Sequence, residues 1–247
     1  MVIKLLLLII LVICNLEDLN VPKTVFLFAD SAIEPIPREL FNDEIIRKFA
    51  LKKNKKPSEI LLDSTYHHKP MKKLSNYKKR GRPDIIHFCL LNLVGSTFVL
   101  NNLTEIEIYV HTIDNKIIEI KPYTRLPKNI NRFKGLIVQL FKQKKIETDG
   151  NILLRVLENE NLESVLNSID PNNRFLFSSK GYEMDLEKVF EKNNAMDLAF
   201  IIGAFPHGNF SQQINCLTKN MASIFPESLN AWIVLNKIIF FRELTLK

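Results

Sequence analysis

Three cysteines in 247 residues, Cys14, Cys89 and Cys216, stand far apart with no CxxC between them. That excludes a disulfide framework and a cysteine-based zinc site. Seven glycines and eleven prolines are too few for a collagen-like or linker-like chain. There is no internal repeat and no low-complexity tract. No GxGxxG, no P-loop lysine and no HExxH occurs, and no Ser-His-Asp or Cys-His set is legible. Cys89 and Cys216 lie in apolar stretches and read as buried fillers. His207 has no partner at metal-ligand spacing, so no metal site is expected.

Apolar residues make up 46% and charged residues 25% of the chain, as in a globular protein. The length suits one domain or two small ones. An uninterrupted apolar run extends from Leu5 to Cys14. It is half the roughly 20 residues that a membrane span needs. With Lys4 before it, it resembles a signal-peptide core, yet Asn15 to Asn20 offers no small-residue cleavage pattern. The expectation is an appendage over residues 1–22, a single domain over 23–247, and no membrane association. A genuine signal or anchor and an extra integrated element are the alternatives.

From Thr24 onward strands alternate with helices, which predicts an α/β sheet with parallel pairs. Residues 24–29 read as a buried strand, and Pro37 to Lys53 as one helix. Residues 64–82 read as a loop. Pro83 to Val94 is a helix with proline in its first turn. Glu105–His111 and Lys116–Lys121 alternate around Ile113-Asp114-Asn115, which predicts a hairpin. Asn131–Lys145 reads as an amphipathic helix, Leu162–Ile169 as a short helix, Arg174–Phe177 as a strand and Met184–Glu191 as a helix. Leu198–Ile202 is a buried strand ending in Gly203. Residues 229–241 are apolar enough for a buried helix.

The one unusual total is 34 Lys and Arg against 27 Asp and Glu, a net charge of +7. The excess is local. Eleven cationic residues face three acids between 51 and 100, and eight face none between 121 and 145. Two such runs point to a polyanion, and phosphates are the obvious one. Tyr66, His67, His68 and Tyr77 lie among the first run, a mixture suited to single-stranded RNA. Asp84 sits in the first turn of its helix and can orient the Arg82 guanidinium, a fork suited to phosphate or a base edge. Arg125, Lys128 and Arg132 lie on one loop and the helix start after it. Ile202 to Gly208 follows a buried strand, where ligands of open α/β sheets bind. Its two glycines admit close backbone approach, so a cofactor held by backbone contacts is expected there.

Seven blocks in order resemble one family. They are Leu27–Glu34, Leu62–His68, RGRPDIIH from Arg80 to His87, Tyr109–Thr112, Thr124–Pro127 with Arg132-Phe133, FIIGAFPHG from Phe200 to Gly208, and Ser228–Trp232. The chain is similar to the archaeal and eukaryotic small-subunit rRNA methyltransferases that modify N1 of a pseudouridine, of the knotted SPOUT class. The resemblance covers residues 24–242. It implies an open α/β sheet with helices on both faces, a C-terminal trefoil knot, a homodimer, and S-adenosylmethionine as methyl donor. It implies a role in small-subunit biogenesis, in the cytoplasm of an archaeon or the nucleolus of a eukaryote. RNA contacts then fall on Arg82, held by Asp84, and on Arg125, Lys128 and Arg132. Cofactor contacts fall on Ser178, Gly203, Gly208 and the run Ser223, Ile224, Phe225, Pro226, Glu227, Ser228 and Leu229. Two departures stand out. Gly95-Ser96-Thr97 replaces an Asp-Ser-Pro frequent in relatives, and Lys128 replaces an arginine. No catalytic base is assigned. The absent aspartate leaves an RNA-binding assembly factor without turnover as a rival reading, and a SPOUT tRNA methyltransferase as another.

Overall fold

A computed structural model describes residues 21–246. The expectation for the apolar run before Val21 lies outside these residues. The first strand, β1 (Thr24–Ser31), is buried along its whole length. Val25, Leu27 and Ala29 enter one core, and Phe26 and Phe28 enter another on the opposite face. A strand buried on both sides needs no alternation of polar residues, which is why this one reads as a continuous apolar run.

Beyond β1 come α1 (Glu44–Lys52), α2 (Ser64–Met71), α3 (Pro83–Val94) and α4 (Thr97–Asn101). The hairpin of β2 (Ile106–Thr112) and β3 (Ile117–Ile120) leads to α5 (Ile130–Gln143). Then follow β4 (Lys145–Thr148), β5 (Asn151–Leu157), α6 (Leu162–Leu166), β6 (Arg174–Glu183) and α7 (Leu186–Lys192). The chain closes with β7 (Leu198–Gly203), α8 (Gln212–Asn215), β8 (Asn220–Ser223) and α9 (Ala231–Thr245). All eight strands form one open sheet in the order β4-β5-β3-β2-β1-β7-β6-β8. The stretch β2-β1-β7-β6-β8 is parallel, and the β3, β5 and β4 edge is antiparallel. Side chains of α3, α4, α5, α7 and α9 pack on one face, and those of α6 and α8 on the other. A smaller core under α1 and α2 joins Ile36, Leu40, Ile46, Leu62, Met71 and Leu74. No helix among the described residues is long and apolar enough to cross a membrane.

Three expectations of the fold need correction, and one hairpin has no counterpart among them. Residues 64–82 are not a loop: Asp63 caps α2 by accepting from the Thr65 amide at 2.8 Å, and a 3-10 turn covers Tyr77–Lys79. The stretch from Pro37 to Lys53 is broken, because Asp43 caps a new helix start by accepting from Ile45. The hairpin of β4 and β5 went unread, although Asp149 and Gly150, at φ 51° and 79°, supply its turn. Finally, α9 is only half buried: Leu235, Ile238 and Ile239 face the core, while Ile233, Phe240 and Leu244 are exposed.

Candidate functional site

The parallel strands β6, β7 and β8 end at the same edge of the sheet, beside a cavity of about 530 Å³. Its walls are three chain segments: Phe177–Lys180 in β6, just past the end of its pairing with β7, Ile202–Phe210 leaving β7, and Ile224–Leu229 leading into α9. Ser178, Gly203, Gly208, Ile224, Phe225, Glu227, Ser228 and Leu229 all line it. Ser223 and Pro226 do not. Ser223 is buried and shapes the third loop instead, its hydroxyl donating to the Phe225 carbonyl at 2.7 Å. Two side-chain contacts cross between the loops. Lys180 Nζ donates to Asn209 Oδ1 at 2.7 Å, and the hydroxyls of Ser179 and Ser228 lie 3.3 Å apart.

At two points here a side chain would collide with its surroundings. A Cβ on Gly203 would stand 2.8 Å from the Phe205 ring and 3.0 Å from that of Phe210. A Cβ on Gly181 would stand 2.5 Å from the backbone of Met221 and Ala222, where β6 and β8 meet. Nothing in the local sequence around Gly181 signals this contact, which only the pairing of β6 with β8 creates. The cavity lies in the size range of about 300–1,000 Å³ typical of small-ligand sites. Phe177, Ile202, Ile224 and Leu229 give it apolar lining, and Gly203 and Gly208 leave backbone there uncovered by a side chain. These features fit an adenosyl group held by apolar contact and main-chain hydrogen bonds.

Asp30, at φ 50° on the end of β1, fastens the second loop. It accepts from the Ser211 amide at 2.7 Å, the Ser211 hydroxyl at 2.9 Å and Lys79 Nζ at 2.7 Å. Lys79 also donates to the Asn209 carbonyl and stands 4.2 Å from the Phe205 ring centroid. Burial pushes the Asp30 carboxyl up. Contacts with His111 and Lys79, the Ser211 amide and the Lys79 charge outweigh that, holding it well below the usual carboxylate range.

The structure sorts the cations into buried and free. Arg80 is locked to Glu34 through Nε–Oε1 at 2.6 Å and Nη2–Oε2 at 2.5 Å, and Lys134 pairs with Asp63. Lys79 and Arg80 are therefore fold-holding groups rather than surface contacts for a polyanion. Arg82 is different. Its Nε and Nη2 meet the two Asp84 oxygens at 2.8 and 2.7 Å, with both side chains more than a third exposed. Arg125, Lys128 and Arg132 are exposed and make no ion pair among the described residues. His87 ties these groups together. Its Nε2–H donates to the Pro127 carbonyl at 2.7 Å, and its ring stacks on Phe133 at 4.4 Å. The loop bearing Arg125 and Lys128 and the first turn of α5 are thereby held one helical turn from Arg82.

Gly95 caps α3 at its far end. Next to it, Thr97 donates to Glu243 near the end of α9, and Arg242 reaches Thr24 at the start of β1. Position 95 thus lies at the opposite end of the sheet from the cavity, on the order of 20 Å away along an eight-residue strand. An acid there cannot reach the cavity of its own chain. A Cβ at 95 would also stand 2.9 Å from the Leu91 carbonyl. Cys216, expected to be buried, is exposed, because it ends the short surface helix α8.

Fold and cavity define a class: an open α/β protein of the SPOUT type that binds a small ligand between three loops at the carboxyl ends of its strands. Within it, the chain belongs to the EMG1/NEP1 methyltransferase family, whose model matches residues 26–243. It is 42% identical over 214 residues to the ribosomal RNA small subunit methyltransferase Nep1 of Thermococcus sibiricus, covering 86% of this chain and 94% of that protein. With the Nep1 of Staphylothermus marinus it shares 38% over 210 residues, 85% of this chain and 90% of the relative. The crystal structure of Archaeoglobus fulgidus Nep1 bound to S-adenosylhomocysteine superposes with a TM-score of 0.79 at 34% identity, covering 91% of this chain and 98% of the other.

Proposed function

We propose that this protein transfers the methyl group of S-adenosylmethionine to N1 of a pseudouridine in small-subunit rRNA during assembly of that subunit. The observation that carries the reading is the three-loop cavity, in a chain whose relatives include a Nep1 crystallised with S-adenosylhomocysteine. Bound there, the cofactor supplies a methyl group on a sulfonium, already a good leaving group. What remains for the protein is to place N1 in line with that methyl and to let the proton that N1 loses pass to solvent or to a titratable side chain lining the cavity. Gly203, Gly208 and the Ile224–Leu229 loop would hold the cofactor. Lys180, His207 and Glu227 are the titratable side chains lining the cavity.

The RNA grip is assigned to Arg82, Arg125, Lys128 and Arg132, with Asp84 aiming the Arg82 fork. A base inside a helix must leave its stack to reach a methyl donor, and backbone contacts on either side make that possible. Pseudouridine offers a ring N–H that uridine lacks, which gives the reaction its selectivity. The place of work is the compartment where small subunits assemble, cytoplasmic or nucleolar according to the cell.

We also assign a homodimer. Ile233, Phe240 and Leu244 form an exposed apolar stripe on α9, and exposed Phe88 on α3 lies tilted against Trp232 with ring centroids 5.5 Å apart. An exposed apolar patch of this kind suits a two-fold interface with a second copy of the chain. A C-terminal knot belongs to the same proposal. Supporting it, β8 returns to the outer side of β6 although β7 intervenes in sequence.

The test is incubation with radiolabelled S-adenosylmethionine and two RNA hairpins that differ only by pseudouridine or uridine at one position. Label should enter the pseudouridine hairpin alone. Equal labelling of both, or none, overturns the reading.

A further inference from the structure

A second cavity, of about 310 Å³, opens between α1, α2 and α5. It is remote from the cofactor loops and shares no lining residue with them. On α5 its wall is Asn131, Lys134, Gly135 and Val138, one face of the helix at helical spacing. On α2 it is Tyr66 and His67, the tyrosine half exposed. Arg132 neighbours this face, and the Asp63–Lys134 pair ties it to the segment leading to Arg82. The Ser64 amide, which donates to the Gly81 carbonyl at 2.8 Å, shortens that path further.

Two features of the wall lack an explanation in folding. Gly135 sits inside a long amphipathic helix, where glycine weakens the helix relative to any ordinary residue. It meets no packing constraint: a Cβ there would have nothing within 4 Å. The missing side chain leaves space in the cavity. The second feature is His67. The Asp63 amide donates to its Nδ1 at 3.0 Å, so Nδ1 carries no proton and Nε2 does. That Nε2–H is buried and has no hydrogen-bond partner. A buried donor without an acceptor is costly, and it recurs where a ligand supplies the missing atom.

The surroundings specify the ligand. Tyr66 offers a ring face, with Phe49 5.0 Å behind it. Lys53 and Lys55 line the mouth and make no ion pair among the described residues. A stacking surface, unpaired ammonium groups, the Asn131 amide and one buried, unpartnered N–H donor are what an unpaired nucleotide requires. We propose that this cavity takes a second, unpaired base of the same RNA, flipped out beside the target nucleotide, with its phosphate near Lys53 and Lys55. The exposed Tyr66 ring turns to admit the base, and a carbonyl or ring nitrogen of the base accepts from His67. The proposal rests on the RNA reading above.

The test measures binding of the full-length protein to a pseudouridine hairpin by fluorescence anisotropy. In companion hairpins each unpaired nucleotide is made abasic in turn. Gly135→Leu fills the space and strengthens the helix, so it folds at least as well as the parent, which its melting temperature checks. In the parent, one abasic position other than the target should weaken binding about tenfold, the usual worth of a stacked base. Gly135→Leu should weaken the intact hairpin by a similar factor and become indifferent to that abasic position. Tyr66→Ala should do the same. Equal affinity of Gly135→Leu and parent, or an identical abasic profile in both, overturns the pocket. Loss of affinity in Gly135→Leu with no dependence on any base also overturns it and points to a peptide occupant. If Arg132→Ala and Arg82→Ala leave RNA affinity unchanged as well, it is the RNA reading itself that fails.

Discussion

His87 and Pro127, forty residues apart in sequence, meet through a 2.7 Å hydrogen bond from the imidazole Nε2–H to the proline carbonyl. A proline carbonyl only accepts, so the proton on Nε2 is fixed by its partner. The contact fastens a basic loop to the helix that begins at the Arg82–Asp84 fork. His87→Ala removes both the bond and the stack on Phe133. Its affinity for a pseudouridine hairpin should fall several-fold, on the order of 1 kcal/mol. Calorimetric affinity for S-adenosylhomocysteine should stay unchanged. A fall in both affinities would mean that His87 supports the whole sheet edge rather than the loop.

Arg82 and Asp84 should act as one unit. The pair is more than a third exposed, so breaking it should cost less than about 1 kcal/mol of stability. Arg82→Ala should reduce RNA affinity and lower the salt slope by about one, the signature of one lost phosphate contact. Asp84→Gly works through Arg82, so the double variant should bind hardly worse than Arg82→Ala. Additive losses in the cycle would give Asp84 a contact of its own.

At the cofactor cavity, Gly203→Val drives its side chain against Phe205 and Phe210. S-adenosylhomocysteine affinity should drop more than tenfold, while the melting temperature moves little, since both rings lie at the cavity rim. Gly181→Ala is expected to behave in the opposite sense. Its Cβ meets backbone at 2.5 Å, which cannot give way as a ring does. That variant should lose stability first, by about 1–3 kcal/mol as for overpacking in a core, and cofactor affinity with it. Thermal melts with and without ligand separate the two cases.

Burial lowers the His67 imidazole from 6.5 to about 4, with the Asp63 carboxylate opposing and Lys134 assisting. In this window the unfolded chain takes a proton that the folded chain refuses. Stability is therefore full above pH 6.5 and declines as pH falls toward 4, by roughly 3 kcal/mol from this group. His67→Asn keeps an acceptor near the Asp63 amide and does not titrate. Its denaturant midpoint should lose less between pH 6.5 and 4 than the parent's. Parallel curves would place the acid sensitivity elsewhere.

Phe240→Glu puts a charge into the exposed stripe of α9 without touching the core side of the helix. Light scattering after size exclusion should show a dimer for the parent and a monomer for the variant. A parent that already runs as a monomer at micromolar concentration would remove the dimer from the proposal.

The sequence by itself determined the sheet and much of the site. A strand buried on both faces announces itself as an apolar run, and Pro83 with Asp84 marks a helix start; both signals are local. The glycine-bearing run after Ile202 is local too, and so the cofactor loop was legible. Asp149-Gly150 also carried its hairpin signal, which was there to be read. Other features depended on residues far apart in the chain. Arg80 and Lys79 looked like surface cations until Glu34 and Asp30 were folded against them, and His67 looked like a stacking ring until Asp63 took its Nδ1. Whether a charge is buried is settled by its partner, and the partner is chosen by topology. The same holds for Gly95. Only the direction in which α3 and α9 run along the sheet carries that position to the end opposite the cavity. β8 had no signal of its own, since its four residues become a strand only because β6 offers a free edge beside Gly181.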